Sequence, residues 1–175
     1  MEHFVAVSIM GENQSALLET LARAIRDSGC GIVDSRMSVL GDRFAATMFL
    51  SGTWDSIAKV EDVLDRLSKK LGIVVDAQRS LPRQPQQDAM PYAIEVVAVD
   101  RPGIVHDIAE FFAHRAIEIQ DMYSGNYQAA HTGTKMCSLH MTIGVPTSVS
   151  IAGLRNEFME FCDQLNLDAI MEPVK

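Results

Sequence analysis

The sequence predicts an α+β protein made of two ferredoxin-like βαββαβ domains, each with a four-stranded antiparallel sheet and two helices on one face. Three observations predict it. Amphipathic helix patterns with matched spacing recur 87 and then 94 residues apart. Strand-like runs flank them in the same order in each half. A stretch rich in Pro and Gln divides the halves. Self-similarity on this scale marks a duplication.

The elements follow in order. A strand-like run from Phe4 to Met10 precedes a helix whose Leu17, Leu18, Leu21 and Ile25 fall on one face. Ile32 to Leu40 and Phe44 to Ser51 read as strands joined by the tight turn Gly41-Asp42, a hairpin signal. Ile57, Val60, Leu64, Leu67 and Leu71 step by 3, 4, 3 and 4, which gives a second helix, and Ile73 to Gln78 closes the half. The second half repeats the plan. Tyr92 to Val99 precedes the helix of Ile104, Val105, Ile108 and Phe112, and Ile117 to Tyr127 follows it. Ile151, Leu154, Phe158, Phe161 and Leu165 repeat the second helix, and Leu167 to Met171 the last strand. The growth in offset places seven extra residues between the two helices, most naturally in the polar stretch Gln128 to Thr134. The expected division is a first domain over 1–80, an exposed linker over 81–89 and a second domain over 90–175.

Composition narrows the function. The chain has 175 residues, 15 Lys and Arg against 23 Asp and Glu, and a net charge of −8. That balance argues against a nucleic-acid footprint and against docking on anionic membranes, both of which need concentrated basic surface. No run is long and apolar enough for a membrane helix, and the first residues lack the basic start of a signal peptide. Cys30, Cys137 and Cys162 are far apart and odd in number, so reduced thiols and a cytoplasmic location are expected, with no disulfide framework. No cofactor is implied.

Other chemistry is thin. There is no RNP-type aromatic pattern, no CxxC in either first loop, and no cationic cradle for an acyl phosphate. His131, Cys137 and His140 could approach one another across a hairpin, but a surface loop and a strand explain them, so no metal site is expected. His106 and His114 read as polar helix positions. Methionines such as Met37, Met48, Met136 and Met141 read as core or interface filling. The loop Asp100-Arg101-Pro102-Gly103-Ile104 stands out. Pro suits a helix opening, Gly allows close approach, free helix-start amides favour a carboxylate, and Asp100 can accept an ammonium. Together they suit a small zwitterion, although the same residues also make a plain helix-entry turn. Asp34 and Asp121 recur two residues after Ile32 and Ile119, where a carboxylate supports a loop or lines an interface.

The duplicated βαββαβ order with Asp100-Arg101-Pro102-Gly103-Ile104-Val105 resembles ACT domains. The first half adds Ser28 to Met37 (SGCGIVDSRM), Leu40 to Phe44 and Met48 to Trp54, which resemble ACT-type transcriptional regulators. The resemblance implies a bacterial, cytoplasmic, non-catalytic repressor that contacts a transcriptional activator rather than DNA. A small amino acid, glycine or similar, would tune that contact. It places the ligand at Asp100, Arg101, Pro102, Gly103 and Ile104, and in the first half at Asn13, Gln14, Ser15, Ala16 and Leu17. The first loop departs from the pattern: Asn13 stands for the Asp, Ser15 for the Pro and Ala16 for the Gly. One half is therefore expected to sense and the other to contact the partner. A regulatory partner of a metabolic enzyme, a ligand-free interaction module and, more distantly, an acyl-phosphate hydrolase are the competing readings. Duplicated modules commonly associate further, which allows a homodimer without deriving it.

Overall fold

The computed structural model describes residues 2–82 and 88–174. The chain falls into two compact units, Met1–Gln84 and Pro85–Lys175. The first unit runs β1 (His3–Glu12), α1 (Leu17–Asp27), β2 (Gly31–Leu40), β3 (Arg43–Gly52), α2 (Trp54–Leu71) and β4 (Val74–Ser80). The second runs β5 (Ala89–Val99), α3 (Ile104–Ala113), β6 (Glu118–Gln128), β7 (Lys135–Pro146), α4 (Ile151–Gln164) and β8 (Asp168–Pro173). The sheets are antiparallel, in the orders β2-β3-β1-β4 and β6-β7-β5-β8. This is the predicted architecture.

Alternation along the central strands decides which face the helices cover. In β1, Val5, Val7 and Ile9 are buried while Ala6 and Ser8 are exposed. In β3, Phe44, Ala46, Met48 and Leu50 are buried. These strands pack on Leu17, Leu21 and Ile25 of α1 and on Ile57, Val60 and Leu64 of α2. The second core is the counterpart, built on Ile94, Val96, Leu139, Met141 and Ile143 with Ile108, Phe112, Leu154 and Phe158. The apolar faces were drawn slightly too wide. Leu18 and Val105 lie one step off the buried row and are exposed, whereas α3 buries Phe111 in addition.

Helix ends follow local chemistry. Thr53 and Ser150 cap α2 and α4, accepting from the amides of Ser56 and Gly153. Gly72 ends α2 in the left-handed conformation at φ 64°. β5 begins at Ala89, inside the stretch expected to be linker, and tolerates Pro91. The Pro91 carbonyl accepts from Val174 on the β8 side, beyond the last ladder pair, so the missing N–H costs no sheet bond. Of the expected linker, residues 83–87 lie outside the described residues.

The extra residues are divided. Phe44, Ala46, Met48 and Leu50 correspond to the buried Cys137, Leu139, Met141 and Ile143, an offset of 93. Six of the seven therefore lengthen the β6–β7 hairpin, and one falls between β7 and α4. Gln128, expected in the loop, is the last residue of β6.

Candidate functional site

The strand-to-helix loops are set by β1 and β5, the strands at the middle of each ladder. Each loop is tied to the neighbouring hairpin by an equivalent bond: the Asn13 amide donates to the Asp42 carbonyl, and the Asp100 amide to the Lys135 carbonyl. Gln14, Ser15 and Ala16 are exposed and Leu17 is buried, so the first helix is anchored by its first residue. Arg101, Pro102 and Gly103 are likewise exposed above the buried Ile104. Pro102 does not open α3. It precedes the N-cap, Gly103, which turns the chain at φ 96°, a conformation L side chains rarely adopt. Ala16, at the same place on α1, makes no side-chain cap.

The second loop holds a closed set of ion pairs. Asp100 is half-buried, and its Oδ2 lies 3.2 Å from Lys135 Nζ. Arg101 donates from Nη2 to Asp107 Oδ2 at 2.9 Å and from Nη1 to the Pro102 carbonyl at 3.3 Å. Asp107 lies in the first turn of α3, where a carboxylate meets the positive end of the helix. The structure thus brings Asp100, Arg101, Gly103 and the helix start together. It also supplies Lys135 and Asp107, which the sequence reasoning missed. An acid in the first turn of a helix entered by an Arg was a legible signal for Asp107. Lys135 was not legible, because the longer hairpin hides its register.

Asp34 and Asp121 both follow a register shift, between Ile32 and Asp34 and between Ile119 and Asp121. Asp34 accepts from the Ser35 amide at 2.8 Å and from Arg36 Nη1 at 2.5 Å. Each carboxylate thus stands just past a bulge, where one strand carries an extra residue. His140 and Cys137 stand on opposite faces of β7. Cys137 is in the core, while His140 stacks on Tyr123 with centroids 4.7 Å apart. Among the described residues no group of three His, Cys, Asp or Glu side chains is placed to hold a metal. Burial pushes the thiols of Cys30 and Cys137 up, and that of Cys162 up to about 12, so all three act as apolar filling.

Residues 3–78 match the family described as the ACT domain. The first unit is an ACT domain. The second unit repeats its element and sheet order, which is an ACT-like fold. The chain is 25% identical over 166 residues to the glycine cleavage system transcriptional repressor of Escherichia coli (strain K12), covering 94% of this chain and 87% of that protein. The Shigella flexneri protein of the same name matches equally. Among solved structures, a provisionally named glycine cleavage system transcriptional repressor aligns at TM-score 0.75 and 21% identity, covering 100% of this chain and 99% of that one. A protein from Galdieria sulphuraria aligns at TM-score 0.81 and 17% identity over 100% of both chains. At these identities the two structures speak for the fold. Within the described residues, no helix is long and apolar enough to cross a membrane.

Proposed function

We propose that this tandem ACT protein is a non-catalytic, cytoplasmic regulator that restrains gene expression by contacting a transcriptional activator, under the control of a small amino acid such as glycine. The observation that carries the reading is the likeness to the glycine cleavage repressor over 94% of the chain. The second loop offers a physical route to sensing. A ligand carboxylate takes Arg101 from Asp107, and a ligand ammonium takes Asp100 from Lys135. The cations Arg101 and Lys135 keep 39% and 70% of their side chains exposed, against 26% and 23% for Asp107 and Asp100, so both cations are within reach of solvent and of a charged ligand. The first loop has Asn13 and Gln14 at the positions of Asp100 and Arg101 and lacks both charges. It is assigned to partner contact rather than to sensing.

Melting the protein against a panel of amino acids tests the sensor. Glycine or serine at 100 times its dissociation constant raises stability by about 2.7 kcal/mol. Asp100→Ala abolishes that shift and Asn13→Ala keeps it. Equal losses in both variants would remove the assignment of roles. Pull-down from a bacterial extract separates the two partner classes, a transcriptional activator or a metabolic enzyme. One observation favours a second reading: the charged groups of the second loop satisfy one another without a ligand. A ligand-free interaction module would show no melting shift with any amino acid.

A further inference from the structure

The uncovered sheet faces of the two units differ in a way that their common fold does not require. On the first, strand register lines up two rows that run across the sheet. One row is Asp34, Phe49, Ala6 and Gln78. The next is Arg36, Thr47, Ser8 and Asp76. The central strands thus contribute the short Ala6, Ser8 and Thr47, while the outer strands β2 and β4 carry the longer polar side chains. The result is a trough of about 370 Å³ lined by both rows, within the range of small-molecule sites. It crosses three strand spacings, roughly 14 Å. Phe49 lines it and is held by stacking on Phe4, with centroids 5.3 Å apart.

The charges in the trough are unequal. Its lining carries two carboxylates and one guanidinium. Arg36 is bonded to Asp34. Among the described residues, Asp76 Oδ2 accepts from the neutral Gln78 amide, at 2.8 Å, and no cation is paired with it, so its charge stands at one end of the trough. The hydroxyls of Ser8 and Thr47 add further acceptors.

The second unit is an internal control. The positions equivalent to Arg36, Thr47, Ser8 and Asp76 are Tyr123, His140, Glu95 and Ile170, which form one row by register. Tyr123 stacks on His140, and Glu95 Oε1 lies 3.6 Å from His140 Nδ1. Large side chains occupy the floor there, and the Asp76 position is apolar.

We infer that the uncovered sheet face of the first unit binds a small organic cation, an amine or guanidinium on a short apolar stem. The cation pairs with Asp76, and the stem lies over Ala6 and against Phe49. The Asp76 carboxylate attracts the cation, and the Ala6 and Phe49 floor one row away packs against the stem, which favours this ligand class. An anion would have to take Arg36 from Asp34 and face two carboxylates. The trough shares no residue with the strand-to-helix loops, so it is a site separate from the proposed sensor.

The test is an NMR titration of the full chain with agmatine, following the backbone amides of Ala6, Thr47 and Asp76, with butyrate as the anionic control. Agmatine is expected to shift these amides saturably and butyrate to leave them in place. Asp76→Asn is expected to weaken agmatine about tenfold, the loss of one charge-assisted contact. Ala6→Leu fills the floor and is expected to abolish binding, with circular dichroism confirming the fold. The inference is overturned if agmatine leaves the three amides unmoved at millimolar concentration. It is equally overturned if butyrate shifts them as much, or if Asp76→Asn binds agmatine like the unaltered protein.

Discussion

Gly103 sits at φ 96°, and a Cβ there would make only ordinary contacts, with Arg101 Nη1 at 3.8 Å and Asp107 Oδ1 at 3.9 Å. Gly11 is the opposite case. A Cβ there would fall 2.3 Å from Ile73 Cγ2 and 3.0 Å from Ile73 Cβ, and Ile73 is a buried residue. One glycine is fixed by backbone conformation, the other by packing. Gly103→Ala should cost about 1–2 kcal/mol through left-handed strain. Gly11→Ala should cost about 1–3 kcal/mol through overpacking. Urea unfolding of the single variants and of each combined with Ile73→Ala separates the causes. Ile73→Ala should offset much of the Gly11→Ala cost and none of the Gly103→Ala cost. Equal coupling would show that the two positions are constrained alike.

At the scale of elements, α2 is held to β4 by a charged contact as well as by its apolar face. Arg79 donates from Nε and Nη2 to the two oxygens of Glu61, at 3.1 and 2.9 Å, and its guanidinium lies 5.9 Å from the Trp54 ring centroid. The Arg79 hydrogen bonds hold the Glu61 carboxyl below its usual range, against an opposing push from burial, with help from the Arg79 charge. A carboxyl whose value is lowered by folding stabilises above its unfolded value, and that stabilisation is lost as pH falls through the folded value. Arg79→Ala should therefore lower the melting temperature at neutral pH, and the difference should shrink in acid once Glu61 is protonated. Any difference that persists in acid belongs to the Trp54 contact. A gap that stays constant across the acid range would show that the ion pair contributes nothing.

At the scale of the whole molecule, each unit has its own core. Leu50 lies at the centre of one and Phe158 at the centre of the other, both fully buried. Leu50→Ala should cost about 2–5 kcal/mol and Phe158→Ala about 3–5 kcal/mol. Amide exchange should localise each loss. Leu50→Ala should speed exchange in β1, β3 and β4 and leave β5 and β7 protected, and Phe158→Ala should do the reverse. Loss of protection in both units from either change would show that the cores unfold as one.

The sequence by itself determined the duplication, the order of elements and the rows of helix residues that face the sheets. Periods of two and of about three and a half residues report local geometry, and they survive whatever the chain packs against. Ile57, Phe112 and Phe158 declare their burial in this way. The strand-to-helix loop was legible because Asp-Arg-Pro-Gly compresses a turn, a helix start and two charges into four consecutive residues. Only the tertiary structure decided which side chains meet across strands. Lys135 reaches Asp100 through a hairpin whose register no local pattern sets. Ser8, Thr47 and Asp76 share a row although tens of residues of chain separate them. Their neighbourhood depends on long-range strand pairing. In such pairing a shift of one residue turns every side chain to the other face, so register had to be observed rather than read.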